Sequence, residues 1–173
     1  MNYSLSEYNL KFINRKAELD EFKTIRELSN KKLFVLAVYG LRRVGKTRLL
    51  IEFLKTGGLY FFVNRNKTSE DLLSEFQEIL KTNKALTELE TLPSWEKFFE
   101  ICTSRKLPPL VFDGFQNFIE VEPSILGSLQ KNIDLHENTP GLIIIAGSRI
   151  GLIKKAFQNA KEPLYGRIKK ASG

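Results

Sequence analysis

A three-layer α/β fold around a mainly parallel sheet is predicted by three observations. Four short apolar runs rich in β-branched and aromatic residues recur along the chain, segments of helical periodicity separate them, and a glycine-rich turn joins the first run to the helix after it. Runs without polar alternation mark strands covered on both faces. Strands alternating with helices pair in parallel through right-handed crossovers.

The elements follow in order. Asn14 can cap a helix to about residue 28, with Leu19, Phe22, Ile25 and Leu28 on one face and Arg15, Lys16, Asp20, Lys23 and Arg26 largely off it. Residues 33–39 (LFVLAVY) form the first strand, and Leu49, Leu50, Phe53 and Leu54 give the next helix its stripe, ending at Gly57 and Gly58. Residues 59–63 (LYFFV) read as the second strand. Thr68 with Asp71 resembles a capping box for a helix carrying Leu72, Leu73, Phe76, Ile79 and Leu80. Residues 81–92 are polar and irregular; Pro93 and Ser94 start a helix through Trp95, Phe98, Phe99 and Cys102. Residues 110–113 (LVFD) give a third strand, 124–135 a helix, and 142–146 (LIIIA) a fourth strand.

At 173 residues, 42% hydrophobic and 27% charged, the chain reads as one domain, 1–173, with a sizeable core. No apolar run approaches the roughly 20 residues of a membrane helix, and MNYSLSEYNL lacks the pattern of a signal peptide, so a cytoplasmic protein is expected. Cys102 and His136 stand alone of their kinds, which excludes disulfides and Cys/His metal clusters within the chain. The spacing of Cys102 from Trp95, Phe98 and Phe99 makes it a core residue, and His136, among Asp134, Glu137 and Asn138, reads as a surface residue at a helix end.

The turn after the first strand carries the chemistry. Gly40, Leu41, Arg42, Arg43, Val44, Gly45, Lys46 and Thr47 complete the pattern G-x-x-x-x-G-K-[ST], a phosphate loop. Its glycines let successive N–H groups turn toward a β-phosphate, and the helix behind adds the positive end of its dipole. Lys46 would neutralise the β- and γ-phosphates of a nucleoside triphosphate, and the Thr47 hydroxyl would ligate Mg²⁺. Arg42, Arg43 and Arg48 add charge nearby without a specific role.

The third strand ends in Asp113, placed as a Walker B carboxylate that holds Mg²⁺ at the carboxyl edge of the sheet. Gly114 follows where many such ATPases carry a water-polarising glutamate, so the sequence supports binding and not hydrolysis. If the missing base alone limits turnover, Gly114→Glu should raise it. Ser148, just past the fourth strand, either senses the γ-phosphate, caps a helix holding Ile150, Leu152, Ile153 and Phe157, or does both.

The net charge is +7, and from residue 154 onward Lys154, Lys155, Lys161, Arg167, Lys169 and Lys170 face only Glu162. That suits nucleic acid, but no aromatic platform or readout motif accompanies it, which favours a solvated basic tail over about 158–173.

Taken together, Phe12 to Leu19 (FINRKAEL), Tyr39 to Thr47, Val111 to Gln116 (VFDGFQ), Ile145 to Ser148 and Pro163 to Arg167 (PLYGR) resemble the archaeal ATPase family of P-loop proteins, close to the signal-transduction ATPases with numerous domains and the wider AAA+ group. The resemblance spans nearly the whole chain. It implies a three-layer P-loop NTPase fold, with Phe12 to Arg15 near the adenine, Asp113 as the Walker B aspartate, and Arg167 approaching the phosphates from this chain or a neighbour; Arg167 is otherwise one more tail charge. The family continues past its Gly-Arg element into a fifth strand and a helical lid, so a sheet truncated before that strand is expected, with the phosphate-loop strand at or near an edge that invites a partner.

The functions weighed are an Mg²⁺-dependent ATP-binding switch with weak or absent hydrolysis, a non-hydrolysing module or shortened remnant that works only with a partner subunit or as a homo-oligomer, and a small P-loop kinase. The kinase lacks an arginine-rich lid and an acceptor pocket in the sequence.

Overall fold

The computed structural model describes residues 15–39 and 45–148, together with the backbone of 168–170. Its elements are α1 (Lys16–Leu28), β1 (Leu33–Tyr39), α2 (Lys46–Leu54), β2 (Leu59–Phe62), α3 (Ser69–Thr82), α4 (Trp95–Ser104), β3 (Leu110–Asp113), α5 (Gln116–Val121), α6 (Ile125–Leu135), β4 (Gly141–Gly147) and β5 (Ile168–Lys170). The sheet runs β2-β3-β4-β1-β5, and every pairing is parallel.

Three layers follow from strand alternation. Leu33, Val35 and Ala37 of β1 join Phe61, Phe112, Ile143 and Ile145 on the face covered by α3, α4 and α6. Phe34, Leu36 and Val38 turn to the opposite face with Val111 and Ile144, where Phe22 of α1 and Leu49, Leu50 and Phe53 of α2 cover them. The first face holds an aromatic cluster: Phe61 stacks on Phe112 at 5.0 Å, and Phe76 lies 4.8 Å from Phe61 and 5.6 Å from Trp95.

The caps at α3 and α4 form as local sequence predicts. Thr68 accepts from the Asp71 N–H at 3.1 Å, and Ser94 from the Lys97 N–H at 3.2 Å. Cys102 is buried, and burial pushes its thiol well above the ordinary cysteine range. Among the described residues no helix is long and apolar enough to cross a membrane.

Several expectations are corrected. The sheet is not truncated before a fifth strand: Ile168–Lys170 pairs with residues 37–39 of β1, so β1 lies inside the sheet between β4 and β5. The open backbone groups of β1 recruit three residues that carry no apolar strand signature. The first helix begins after Arg15, which makes no side-chain cap bond, and Asn14 lies outside the described residues. Leu28, assigned to its apolar face, is exposed because that helix presses on the sheet through Phe22. The stretch after Gly114, read above as no element, folds into the short helix α5. His136 is half-buried, its Nδ1 2.9 Å from the Asn132 carbonyl and 3.0 Å from Thr103 Oγ1, because the C-terminus of α6 packs on α4.

Candidate functional site

The site lies at the carboxyl ends of β1 and β3. Gly45 stands at φ +79°, a left-handed conformation that costs glycine little, and its carbonyl accepts from the Leu49 N–H at 3.0 Å as α2 begins. Lys46 and Thr47 open that helix; Lys46 is buried, 9% exposed. With Gly45, Arg48 and the half-exposed Ile51 they line an open depression of about 410 Å³.

Alternation along β3 sends Leu110 and Phe112 to one face and Val111 and Asp113 to the other, the face that α2 covers. Asp113 therefore meets the start of α2: Thr47 Oγ1 donates to its Oδ2 at 2.7 Å. A second hydroxyl reaches the same oxygen, Tyr60 donating at 2.9 Å. Tyr60 sits on β2 opposite Val111 and so shares the face of Asp113. Burial, with the Asp113 charge and hydrogen bond added, raises the Tyr60 hydroxyl well above its ordinary range and keeps it a donor.

Burial likewise holds Lys46 below the ordinary lysine range; the Asp113 charge works against that shift and the Arg15 charge adds to it. Arg15, which pairs with Glu18 at 3.3 Å, thus stands within electrostatic reach of Lys46.

Past Asp113 the chain turns sharply. Gly114 adopts φ +74°, and a β-carbon there would sit 3.2 Å from both the Val63 carbonyl oxygen and Asn117 Nδ2. Asn117 Nδ2 donates to that same carbonyl at 2.8 Å, tying α5 to the end of β2. Glycine at 114 is thus demanded by the turn, and a glutamate there is not a simple restoration of a base. Ser148, at the end of β4, donates its N–H to Gln116 Oε1 at 3.3 Å.

Of the residues assigned from sequence, Lys46, Thr47 and Asp113 come together, Arg15 adds its charge, and Arg48 lines the mouth. Phe12, Gly40, Leu41, Arg42, Arg43, Val44 and Arg167 lie outside the described residues. Sequence reasoning missed Tyr60, which reads as one more apolar residue of a strand; its role needs the β2–β3 register.

Residues 12–172 match the profile of an ATPase domain predominantly from Archaea. An uncharacterized protein of Methanocaldococcus jannaschii is 28% identical over 158 residues, covering 90% of this chain and 34% of that protein. Among solved structures, the Walker-type ATPase paby2304 of Pyrococcus abyssi superposes with a TM-score of 0.62 at 22% identity, over 90% of this chain and 53% of that one. Cdc6p of Pyrobaculum aerophilum gives 0.59 at 15% identity, over 91% and 45%. The chain spans about a third of the first relative and about half of each solved chain, and the two superpositions establish the fold.

Proposed function

Because the chain belongs to the family of ATPase domains found predominantly in Archaea, we propose that it binds ATP with Mg²⁺ and works as a nucleotide-controlled switch that turns ATP over slowly or not at all. The observation that carries this reading is the 2.7 Å bond from Thr47 to Asp113 beside the buried Lys46. A hydroxyl and a carboxylate in contact are the hard oxygen donors that suit Mg²⁺. Among the described residues no three acidic, histidine or cysteine side chains converge on one point, which fits an ion held jointly by protein and phosphate oxygens.

The division of labour follows from the side chains. Lys46, already stripped of much of its water, gives its charge to the β- and γ-phosphates at small further desolvation cost. Thr47 and Asp113 would hold Mg²⁺, and when bound the ion draws charge from the phosphate oxygens. Tyr60 fixes the Asp113 carboxylate from the sheet side. Gly114 supplies no base, which supports slow turnover. Gly40 to Val44 would cradle the phosphates through their N–H groups, with Phe12 near the base and Ser148 and Arg167 responding to the γ-phosphate.

Calorimetric titration with ATP and Mg²⁺, followed by phosphate release in the same samples, tests the reading. Lys46→Ala should abolish binding while preserving the unfolding transition; equal affinity in the variant would overturn the assignment.

A further inference from the structure

Gly114 leaves the site without a side chain at the position next to Asp113, and the following polar residue at that edge is Gln116, the first residue of α5. Two bonds fix where it stands. The Phe115 N–H donates to the Ala146 carbonyl at 2.9 Å, drawing the turn over the end of β4, and Gln116 Oε1 accepts from the Ser148 N–H at 3.3 Å. The carboxamide therefore bridges the carboxyl ends of β3 and β4, and β4 is the strand that separates Asp113 from β1. In an open parallel sheet that edge is where the ligand lies.

The orientation of the amide is set by its partner. A backbone N–H can only donate, so the oxygen faces Ser148 and Nε2 faces away. Among the described residues Nε2 has no hydrogen-bond acceptor, and Gln116 is half-buried, so two donors and the second lone pair of Oε1 remain for a ligand at the sheet edge.

We propose that Gln116 orients the water that attacks ATP, doing at position 116 what Gly114 cannot. The inference rests on the ATP·Mg²⁺ reading of this site. Oε1 accepts a hydrogen from the water and Nε2 donates to a γ-phosphate oxygen, which holds the water in line with the bond to be broken. The water oxygen forms a bond to the γ-phosphorus, and the bond from that phosphorus to the β,γ-bridging oxygen breaks. A carboxamide takes up no proton, so the proton of the water passes to a transferred phosphate oxygen, and the products are ADP and dihydrogen phosphate. A glutamine that orients water without deprotonating it serves in small GTPases, whose unaided turnover is slow. Slow turnover is thus the expected result of this arrangement.

The test uses the full chain, Gln116→Ala and Gln116→Glu, with three measurements on each: affinity for ATP·Mg²⁺, affinity for ADP·Mg²⁺ with aluminium fluoride as a mimic of the transferred phosphate, and phosphate release at saturating ATP. Gln116→Ala should bind ATP within about twofold of the parent and lose about a hundredfold in turnover, the scale of one removed transition-state donor, with a parallel loss of mimic affinity. Gln116→Glu keeps the acceptor for Ser148 but lacks the Nε2 donors, so it should unfold like the parent and still lose mimic affinity. A residue that merely joined β3 to β4 would leave mimic binding intact in Gln116→Glu, and that result would overturn the proposal. Parent-like turnover in Gln116→Ala, or a parent that binds ATP·Mg²⁺ without releasing phosphate, would overturn it too. A parent that fails to bind ATP, or binds it as well after Lys46→Ala, would instead defeat the nucleotide reading beneath it.

Discussion

Gly114→Ala isolates the turn that follows Asp113. The backbone there is left-handed, at φ +74°, and an L-residue in that region costs roughly 1–2 kcal/mol. The new methyl would also stand 3.2 Å from the Val63 carbonyl oxygen and from Asn117 Nδ2. Relief comes most readily by moving the Asn117 side chain, which gives up its 2.8 Å bond to Val63, worth about 1 kcal/mol. The sum is about 2–3 kcal/mol, which for a chain of this length lowers the melting temperature by roughly 4–12 °C. Urea and thermal unfolding followed by circular dichroism would measure it, with Gly127→Ala as the reference. Gly127 lies in α6 with open space where its β-carbon would be, so that change should stabilise by about 0.5–1 kcal/mol. Gly114→Ala as stable as the parent would refute the argument. If the argument holds, Gly114→Glu brings the same strain along with its carboxylate, and the turnover gain expected from the sequence should not appear.

The remaining predictions concern the core and the Asp113 shell. Phe61→Ala empties a fully buried site between Phe112, Phe76 and Phe98 and should cost about 3–5 kcal/mol in urea unfolding; a loss below about 1 kcal/mol would mean these rings do not pack as described. Tyr60→Phe keeps the ring but removes one of the two hydroxyls on Asp113 Oδ2, and should lower stability by about 1–2 kcal/mol without nucleotide. An unchanged denaturation midpoint would exclude that bond.

Much of this molecule was legible because the relevant forces are local. Thr68 and Ser94 cap helices through N–H groups three residues away, and the apolar runs announce strands covered on both faces. Lys46, Thr47 and Asp113 could be paired from sequence because each stands at a fixed offset from its own strand or loop. Tyr60 could not, because β2 and β3 are distant in sequence and only their register puts the two residues on one face. Nor could Gln116, whose bond to Ser148 depends on β3 and β4 lying side by side.

The sequence by itself determined the three-layer architecture through patterns that act over a few residues, and its motifs determined the family and pointed to a lysine, a hydroxyl and a carboxylate that the fold brings together. The tertiary structure decided what those residues meet. It closed the position beside Asp113 by demanding a left-handed glycine. It set a tyrosine of one strand against the Asp113 carboxylate and tied Gln116, the first residue of α5, to the end of β4. It also placed Ile168–Lys170, a segment with no apolar signal, along β1. In each case the reason is the same: contacts between distant segments are set by strand order and register, which are properties of the assembled sheet and not of any one stretch of chain.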